Sequence, residues 1–263
     1  AVFTRDAGGS VQVQAGMQLT HLSLLPGEEI RSPRMLLLFW QGVQLHASNM
    51  LRRLILAHYT PCPGGRTFRG PIWSSSTGDL NFNGITEENQ IASAQTIMAH
   101  GVPIEYYQID AGWFENGWPN TGTWEPESTR FPRGLKPVGD AVHALGLGFI
   151  LWFEPERAVP DTWLPTNHPE WLIGSTEVPA DRSYQTYWRL LDLGNPDALG
   201  WVQTKISSMI SEYGVDIYRH DFNMFPLYAW RAHDATDRQG MTEIRYIEGL
   251  YAFWDYLLEQ HPG

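Results

Sequence analysis

Acidic side chains follow three predicted strands of the 263-residue chain, at the points where those strands end. Asp110, Glu154 and Asp221 stand at these points, and a predicted helix lies between each strand and the next. In folds built from parallel strands the ligand lies at the carboxyl ends of the strands, so the three acids are expected at one mouth. A single acid in such a place is also typical of a helix cap, whereas three in equivalent positions favour a site.

Aromatic and cationic side chains flank these carboxylates. Trp113 and Trp152 lie within three residues of the first two acids, and Arg219 precedes Asp221 by two residues. Carboxylates beside aromatic rings in a concave site are what glycoside hydrolysis requires, because one serves as nucleophile, another as general acid and base, and others bind sugar hydroxyls. The 12 tryptophans of the chain suit flat sugar faces, although a large aromatic core would account for them equally well.

Strand-then-helix units are predicted from residue 71 onward, where apolar runs alternate with helical periodicities. Strands are expected at 71–75, 104–109, 147–153, 190–193 and 215–219, and helices at 87–100, 135–145, 197–213 and 241–260. This order implies parallel strands joined by crossover helices, in a barrel or in an open α/β sheet.

The segment before residue 66 has a different pattern. Strands are expected at 11–15, 19–25 and 29–40, followed by a helix at 45–58 and a linker rich in Pro and Gly at 61–70. Because this region is too short to form a complete β-sandwich, it is predicted to be the end of one.

Composition and charge exclude several kinds of partner. Lys and Arg number 18 against 29 Asp and Glu, a net charge of −11, so the clustered cations that bind nucleic acid are lacking. The longest apolar run, 35–40, is too short to span a membrane. Cys62 is the sole cysteine, which excludes an intrachain disulfide and a zinc site with several cysteines. The pairs His220–Asp221 and His233–Asp234 fit no recognised metal spacing, so no metal site is expected.

Five motifs, collinear along the chain, resemble those of glycoside hydrolase family 36, the α-galactosidases and their relatives. The family's Asp-Asp-Gly-Trp-Phe is similar to residues 110–114, its Phe-Pro-Arg-Gly-Leu-Lys-Pro to 131–137, its Trp-Phe-Glu-Pro-Glu-Met to 152–157, its Leu-Asp-Leu-Ser-x-Pro to 191–196 and its Lys-Trp-Asp-Phe-Asn to 219–223. Five matches in the same order are not expected by chance.

The resemblance implies a (β/α)8 catalytic barrel behind an N-terminal β-sandwich, and hydrolysis with retention of anomeric configuration. Asp221 matches the family's nucleophile, which attacks the anomeric carbon to form a covalent glycosyl-enzyme. The implied partner is an α-linked galacto-oligosaccharide or a related glycoside, and no metal or organic cofactor is implied. Compartment remains open between the cytoplasm and a secreted or periplasmic bacterial location, and so does the oligomeric state, a homo-oligomer of the complete protein included.

The substrate-binding residues implied by the resemblance come from the same motifs and are Asp110, Trp113, Trp152, Arg219 and Asn223. Asp110 is expected to bond a sugar hydroxyl, and Trp152 to form part of the pocket wall. Arg219 stands where the family has a substrate-binding lysine, so the positive charge is kept but carried by a planar group with several donors.

Three departures from the family pattern bear on activity. Ala111 replaces the second aspartate of the paired acids, and a methyl group accepts no hydrogen bond, so the sugar is either held by another acceptor, such as Glu115 or Asp79, or is not plain galactose. Residues 73–76 also lack the family's Asn-x-Trp arrangement. No residue of this sequence matches the family's acid/base aspartate.

About four major barrel strands follow the linker, half of the eight that closure requires. The chain is therefore expected to be a fragment, with the end of the sandwich and its connecting helix at 1–65 and the N-terminal half of the barrel at 66–263. A retaining α-galactosidase-type hydrolase is the favoured function. The alternatives are an α-N-acetylgalactosaminidase or other α-glycosidase, a non-catalytic carbohydrate-binding remnant, and transfer of the glycosyl group to another sugar.

Overall fold

The computed structural model describes residues 2–60, 70–174 and 188–262. It has an α/β fold with a parallel sheet, as the alternating pattern predicts. Cys62, most of the predicted linker and the predicted domain boundary between residues 65 and 66 lie outside the described residues.

The N-terminal region contains short strands and one long helix. Strands β1 (Val2–Arg5) and β2 (Val11–Gln14) form an antiparallel hairpin, β3 spans His21–Leu22, and helix α1 spans Gln44–His58. The predicted strand at 11–15 and the predicted helix at 45–58 are therefore confirmed.

The predicted strand at 29–40 is wrong, and the one at 19–25 is reduced to the two residues of β3. Apolar side chains in the first of these segments are exposed, Leu37 by 70% and Phe39 by 85%. A strand needs a neighbour for its backbone hydrogen bonds, and in the described part of the chain none pairs with this segment. Apolar composition alone therefore did not specify a strand here.

The second region alternates strands and helices in the predicted order. Its elements are β4 (Trp73–Ser74), α2 (Glu87–Ala99), β5 (Tyr106–Ile109), α3 (Lys136–Ala144), β6 (Gly148–Phe153), β7 (Arg157–Ala158), α4 (Trp163–Asn167), β8 (Leu172–Ile173), β9 (Arg189–Leu191), α5 (Pro196–Tyr213), β10 (Ile217–His220), α6 (Leu227–His233), β11 (Arg238–Gln239) and α7 (Met241–Gln260). Every strand and helix predicted after residue 70 is present, with its ends displaced by at most two residues.

One parallel sheet contains β4, β5, β6 and β10, side by side in that order. Ile109 of β5 is in register with Leu151 of β6, and Trp152 is in register with Arg219 of β10. Asp110, one residue beyond Ile109, is therefore level with Trp152 and Arg219. Because residues level with one another in a sheet share a face, these three side chains are directed to the same side.

Local signals fix the ends of the helices that connect these strands. α2 begins with a capping box, in which the Thr86 hydroxyl accepts from the Asn89 N–H (3.1 Å) and the Asn89 side chain accepts from the Thr86 N–H (2.9 Å). α5 begins at Pro196, directly after its N-cap residue Asn195. It is terminated by the C-cap residue Gly214, whose φ of +67° is a conformation that glycine adopts without strain.

The hydrophobic core lies between the sheet and the helices packed on it. α3 and α5 pack on each other and α5 packs on α7, so the outer face of the sheet is covered. The fully buried side chains include Tyr107, Phe149, Leu151, Val202 and Phe253.

The N-terminal region is attached to the end of the second region by backbone and ionic contacts. β3 pairs antiparallel with β11, and the Arg231 guanidinium donates to the Gln18 carbonyl oxygen (2.7 Å). Arg238 of β11 forms an ion pair with Glu28, with Nη1 and Oε2 2.6 Å apart. Within the described ranges, no helix combines the length and apolar character needed to cross a membrane.

Candidate active site

Asp110 and Arg219 form an ion pair at the carboxyl ends of β5 and β10. The two strands are separated by β6, so the pair crosses over Trp152, which is level with both. The sheet register thus brings together three of the predicted substrate-binding side chains.

Both oxygens of the Asp110 carboxylate are engaged by protein donors. Oδ2 accepts from Arg219 and from the Gln108 amide (2.8 Å), and Oδ1 accepts from the Ala111 N–H (2.8 Å). The Asp110 N–H in turn donates to the Thr77 hydroxyl beyond β4 (3.1 Å). The carboxylate is therefore held in one orientation, partly exposed to solvent.

Asp221 follows β10 directly and is partly exposed. Its Oδ2 accepts from the indole N–H of Trp152 (2.9 Å) and its Oδ1 from the Phe222 N–H (2.9 Å). Its own N–H donates to the Phe153 carbonyl oxygen (2.8 Å), a contact that continues the pairing of β10 with β6 one residue past the strand. Side chain and backbone of Asp221 are therefore both anchored to β6.

The protonation state of Asp221 reflects these contacts. Partial burial alone would raise its pKa, but hydrogen bonds from Trp152, Asn223 and Phe222, together with the positive charge of Arg219, hold the pKa below its usual value. Asp221 is therefore an ionised carboxylate with a fixed orientation at the mouth of the sheet, which is the state a nucleophile requires.

Glu154, the third acid of the sequence pattern, is fully buried behind this mouth. Its Oε1 accepts from the Asn223 N–H (2.7 Å) and its Oε2 from Nε of Arg157 (2.8 Å). Burial raises the pKa of Glu154, and the negative charge of Asp221 acts in the same direction, while Arg157 and the Asn223 N–H oppose them. Glu154 thus contacts the segment after Asp221 and has no exposed surface with which to bind a ligand.

The remaining predicted substrate-binding residues occupy unlike positions. Asn223 is exposed beside Asp221. Trp113 is fully buried, and its Nε1 donates to the carbonyl oxygen of Trp152 (2.9 Å), so in this structure it supports Trp152 from behind. Trp152 is itself almost fully buried, and its indole N–H donates to the Asp221 carboxylate.

Ala111 is only 2% exposed, so its methyl group is packed and no open space stands where the family has a second carboxylate. Glu115 and Asp79, the alternative acceptors that the sequence offers, are both exposed. Ala111, which the sequence resemblance aligns with the second acid, is therefore a buried apolar residue next to the fixed carboxylate of Asp110.

Sequence reasoning missed several side chains that hold the site together. Gln108 could have been found, because it lies two residues before Asp110 in a strand and so shares its face. Thr77 and Trp118 come from loops and had no periodic signal. Arg157 stands at the last position of the 152–157 motif, where the family has methionine, and its buried partner Glu154 was predicted at the mouth instead.

His220 and Asp234, one residue from each His-Asp pair of the sequence, have structural roles. Nδ1 of His220 lies 3.1 Å from Nε1 of Trp254, which can only donate, so neutral His220 carries its hydrogen on Nε2, 2.7 Å from Glu156. Asp234 accepts from the backbone N–H groups of Gly240 and Thr242 at the start of α7. Within the described ranges, no group of three or more His, Cys, Asp and Glu side chains is placed to hold a metal ion.

Comparison with known families gives one match that covers most of the chain. The sequence profile of the Melibiase family matches residues 73–263, which include all the site residues described above.

Two curated relatives align over nearly the whole chain. A probable alpha-galactosidase C from Aspergillus terreus is 26% identical, over 98% of this chain and 35% of its own length. The alpha-galactosidase AgaA from Geobacillus stearothermophilus is also 26% identical, over 98% of this chain and 35% of its own length. The chain therefore spans about a third of the length of the curated relatives it matches.

A solved structure has the same fold over most of the chain. It is a variant of the family 36 alpha-galactosidase AgaA from Geobacillus stearothermophilus in complex with raffinose. The similarity covers 75% of this chain and 28% of that one, with a TM-score of 0.60 and 26% sequence identity.

Proposed function

The chain belongs to the melibiase family, within glycoside hydrolase family 36, and from this premise we propose that it carries the nucleophilic half of a retaining α-galactosidase. The observation that supports the proposal is the ionised Asp221, fixed by Trp152 beside the Asp110–Arg219 pair. The relatives named above are α-galactosidases, which supports the same class of reaction.

In the proposed reaction, a carboxylate oxygen of Asp221 attacks the anomeric carbon of the substrate. The bond from that carbon to the aglycone oxygen breaks, and the departing oxygen takes a proton from an acid group. Water then attacks the glycosyl ester, gives up a proton and releases the sugar, which restores the Asp221 carboxylate with net retention. The acid/base group is not assigned to any residue of this chain, because none matches the family motif for it.

Asp110 and Arg219 are proposed to bind hydroxyl groups of the terminal sugar. The two side chains satisfy each other, so a hydroxyl that donates to Asp110 and accepts from Arg219 can enter between them without leaving either charge unpaired. Because Trp152 lies level with both and holds Asp221, the sugar-binding pair and the nucleophile share one support. Asn223, exposed beside Asp221, is proposed as a further contact with the sugar.

The proposed substrate is an oligosaccharide with a terminal α-linked galactose. The raffinose complex of the structural neighbour supports this class of ligand. A different α-linked sugar is the second candidate, and Ala111 is the observation that favours it, because one acceptor of the family's paired acids is missing. The packed methyl group of Ala111 leaves no added space there, so any N-acetyl group of an N-acetylgalactosaminide would have to be accommodated elsewhere in the site.

The barrel and sandwich assignments are also proposals. Four parallel strands, each beside the preceding strand of the same sheet and each followed by a helix, are the unit from which an eight-stranded barrel is built. We therefore propose that residues 66–263 form the N-terminal half of a (β/α)8 barrel and that residues 1–65 form the end of a β-sandwich domain.

The test of the proposed function uses a reagent that needs no acid group. A 5-fluoro-α-galactosyl fluoride exchanges its C1–F bond for a bond to the nucleophile and releases fluoride, which leaves without a proton. In the native protein that carries this sequence, we expect stoichiometric labelling on the peptide that contains Asp221. Labelling on another residue would overturn the assignment, and sugar binding without labelling would favour the non-catalytic alternative.

A further inference from the structure

We propose that Glu154, together with Arg157, is a positioning residue that holds the backbone of residues 221–223 so that the Asp221 carboxylate faces the substrate. The proposal rests on the proposed role of Asp221 as nucleophile. The sequence pattern predicts Glu154 at the open mouth of the site, whereas in the structure its side chain is fully buried.

The first contact is made by the Glu154 carboxylate. Its Oε1 accepts from the backbone N–H of Asn223 at 2.7 Å, and its Oε2 accepts from Nε of Arg157 at 2.8 Å. The side chains of Glu154 and Arg157 are both 0% exposed. A buried carboxylate with one oxygen on a loop N–H and the other on a buried guanidinium cannot rotate without leaving a charged group unpaired.

A second path leads from Arg157 to the Asp221 carboxylate itself. The guanidinium lies over the ring of Trp118, 4.9 Å from its centroid, and its Nη1 donates to the Pro119 carbonyl (2.8 Å). Trp118 meets Trp152 edge to face, with ring centroids 5.5 Å apart. Trp152 then donates to Oδ2 of Asp221 at 2.9 Å.

The two sets of contacts start from the Glu154–Arg157 pair and reach the nucleophile from two sides. One holds the Asp221 side chain through Trp152, and the other holds the following backbone through Glu154. The Phe222 N–H, which lies between these anchors, donates to Oδ1 of Asp221 at 2.9 Å, so the carboxylate orientation depends on the course of the backbone. A displacement of about 1 Å at a reacting group costs about 100-fold in rate, so loss of the Glu154 anchor is expected to slow attack.

The test is Glu154→Gln, which keeps side-chain length and one acceptor oxygen but presents an NH2 group to one of two donors. In the native protein that carries this sequence, the reagent is the 5-fluoro-α-galactosyl fluoride described above. We expect the rate constant for labelling of Asp221 to fall by about 100-fold, while the final labelled fraction stays complete. A merely structural role would lower the labelled fraction and leave the rate constant of the folded molecules unchanged.

Glu127→Gln is the matched control, because Glu127 also pairs with Nε of an arginine three residues later, Arg130, at 3.1 Å. That pair forms its hydrogen bonds away from residues 221–223, so its loss is expected to leave the labelling rate within about threefold of the unmodified protein. The double variant Glu154→Gln/Arg157→Met is expected to be no slower than the slower of its two single variants, since side chains that act as one unit are not additive.

Glu154→Asp decides the matter if Glu154→Gln fails to fold, because it keeps the charge and withdraws the carboxylate by about one methylene length. The same fall in rate constant with complete labelling is expected. A rate constant within about threefold of the unmodified protein in either folded variant would overturn the positioning role while leaving Asp221 as the nucleophile. Absence of labelling in the unmodified protein would instead refute the proposed function on which the inference rests.

Discussion

Asp110 and Arg219 pair with each other across β6, although the strands that carry them are not neighbours in the sheet. Neighbouring strands lie about 4.8 Å apart, so the pair spans two such spacings, which only a side chain as long as arginine bridges easily. The ion pair between these residues therefore depends on the length of the Arg219 side chain as well as on its positive charge.

Replacement of Arg219 by lysine tests that dependence. The ammonium group keeps the charge but loses the planar fork with which Arg219 can contact Asp110 and a hydroxyl together. We expect KM for an aryl α-galactoside to rise by at least about tenfold, because one hydrogen bond to a charged group is lost. Steady-state kinetics of the native protein with and without the substitution would show it, and an unchanged KM would mean that Arg219 does not contact the sugar.

Asp221→Asn removes the nucleophile with little change of shape. An amide is nearly isosteric with the carboxylate and can still accept the N–H of Trp152, but it is a poor nucleophile. Turnover of the aryl α-galactoside is expected to fall below about 1% of the unmodified rate, with an unaltered circular dichroism spectrum. Retention of more than a few per cent would end the assignment of Asp221.

The placement of the site residues at one edge of the sheet was largely predictable, because Asp110, Glu154 and Asp221 directly follow β5, β6 and β10, and parallel strands share one carboxyl edge. A strand pattern does not show how far each side chain is buried. Glu154 was expected at the mouth and lies buried against Arg157, and Trp113 was expected to bind substrate and is fully buried. Such outcomes depend on contacts between residues far apart in the chain, and no local periodicity encodes those contacts.

Removal of the indole donor should change the pH dependence of the nucleophile. The N–H of Trp152 stabilises the ionised form of Asp221, so Trp152→Phe is expected to raise the pKa of Asp221. The acid limb of the pH profile for labelling would then move to higher pH. Trp124→Phe is the control, since Trp124 packs in the same aromatic cluster and donates to no carboxylate of the site. Equal acid limbs in both variants would contradict the role given to the indole.

Stability at low pH should depend on Glu28. Its ion pair with Arg238 lowers the pKa of Glu28 from 4.5 to about 2 in the folded protein. Because the folded value is the lower one, the contribution to stability is fully present above pH 4.5 and is lost as the pH falls toward 2. Glu28→Gln should therefore lower the thermal midpoint at neutral pH, and the difference should shrink steadily between pH 4.5 and pH 2, when midpoints are compared across the range. Glu29→Gln, at the exposed neighbouring position, is expected to have little effect at neutral pH, and a pH-independent effect of Glu28→Gln would contradict the ionic origin.

Substrate choice should reflect the missing acceptor at Ala111. A site built to bond a hydroxyl rejects analogues strongly only while its acceptor is present, and a methyl group provides none. Since Ala111 is packed, with 2% exposure, no space is freed there for a larger substituent. On a panel of aryl α-glycosides (galactoside, N-acetylgalactosaminide, galactosaminide, glucoside and xyloside), we expect the galactoside to have the highest kcat/KM, with at least one other member within about 100-fold of it. If kcat/KM for the galactoside exceeds that for every other member by more than about 100-fold, another acceptor replaces the lost carboxylate. The variants Glu115→Gln and Asp79→Asn would then identify which loop supplies that acceptor.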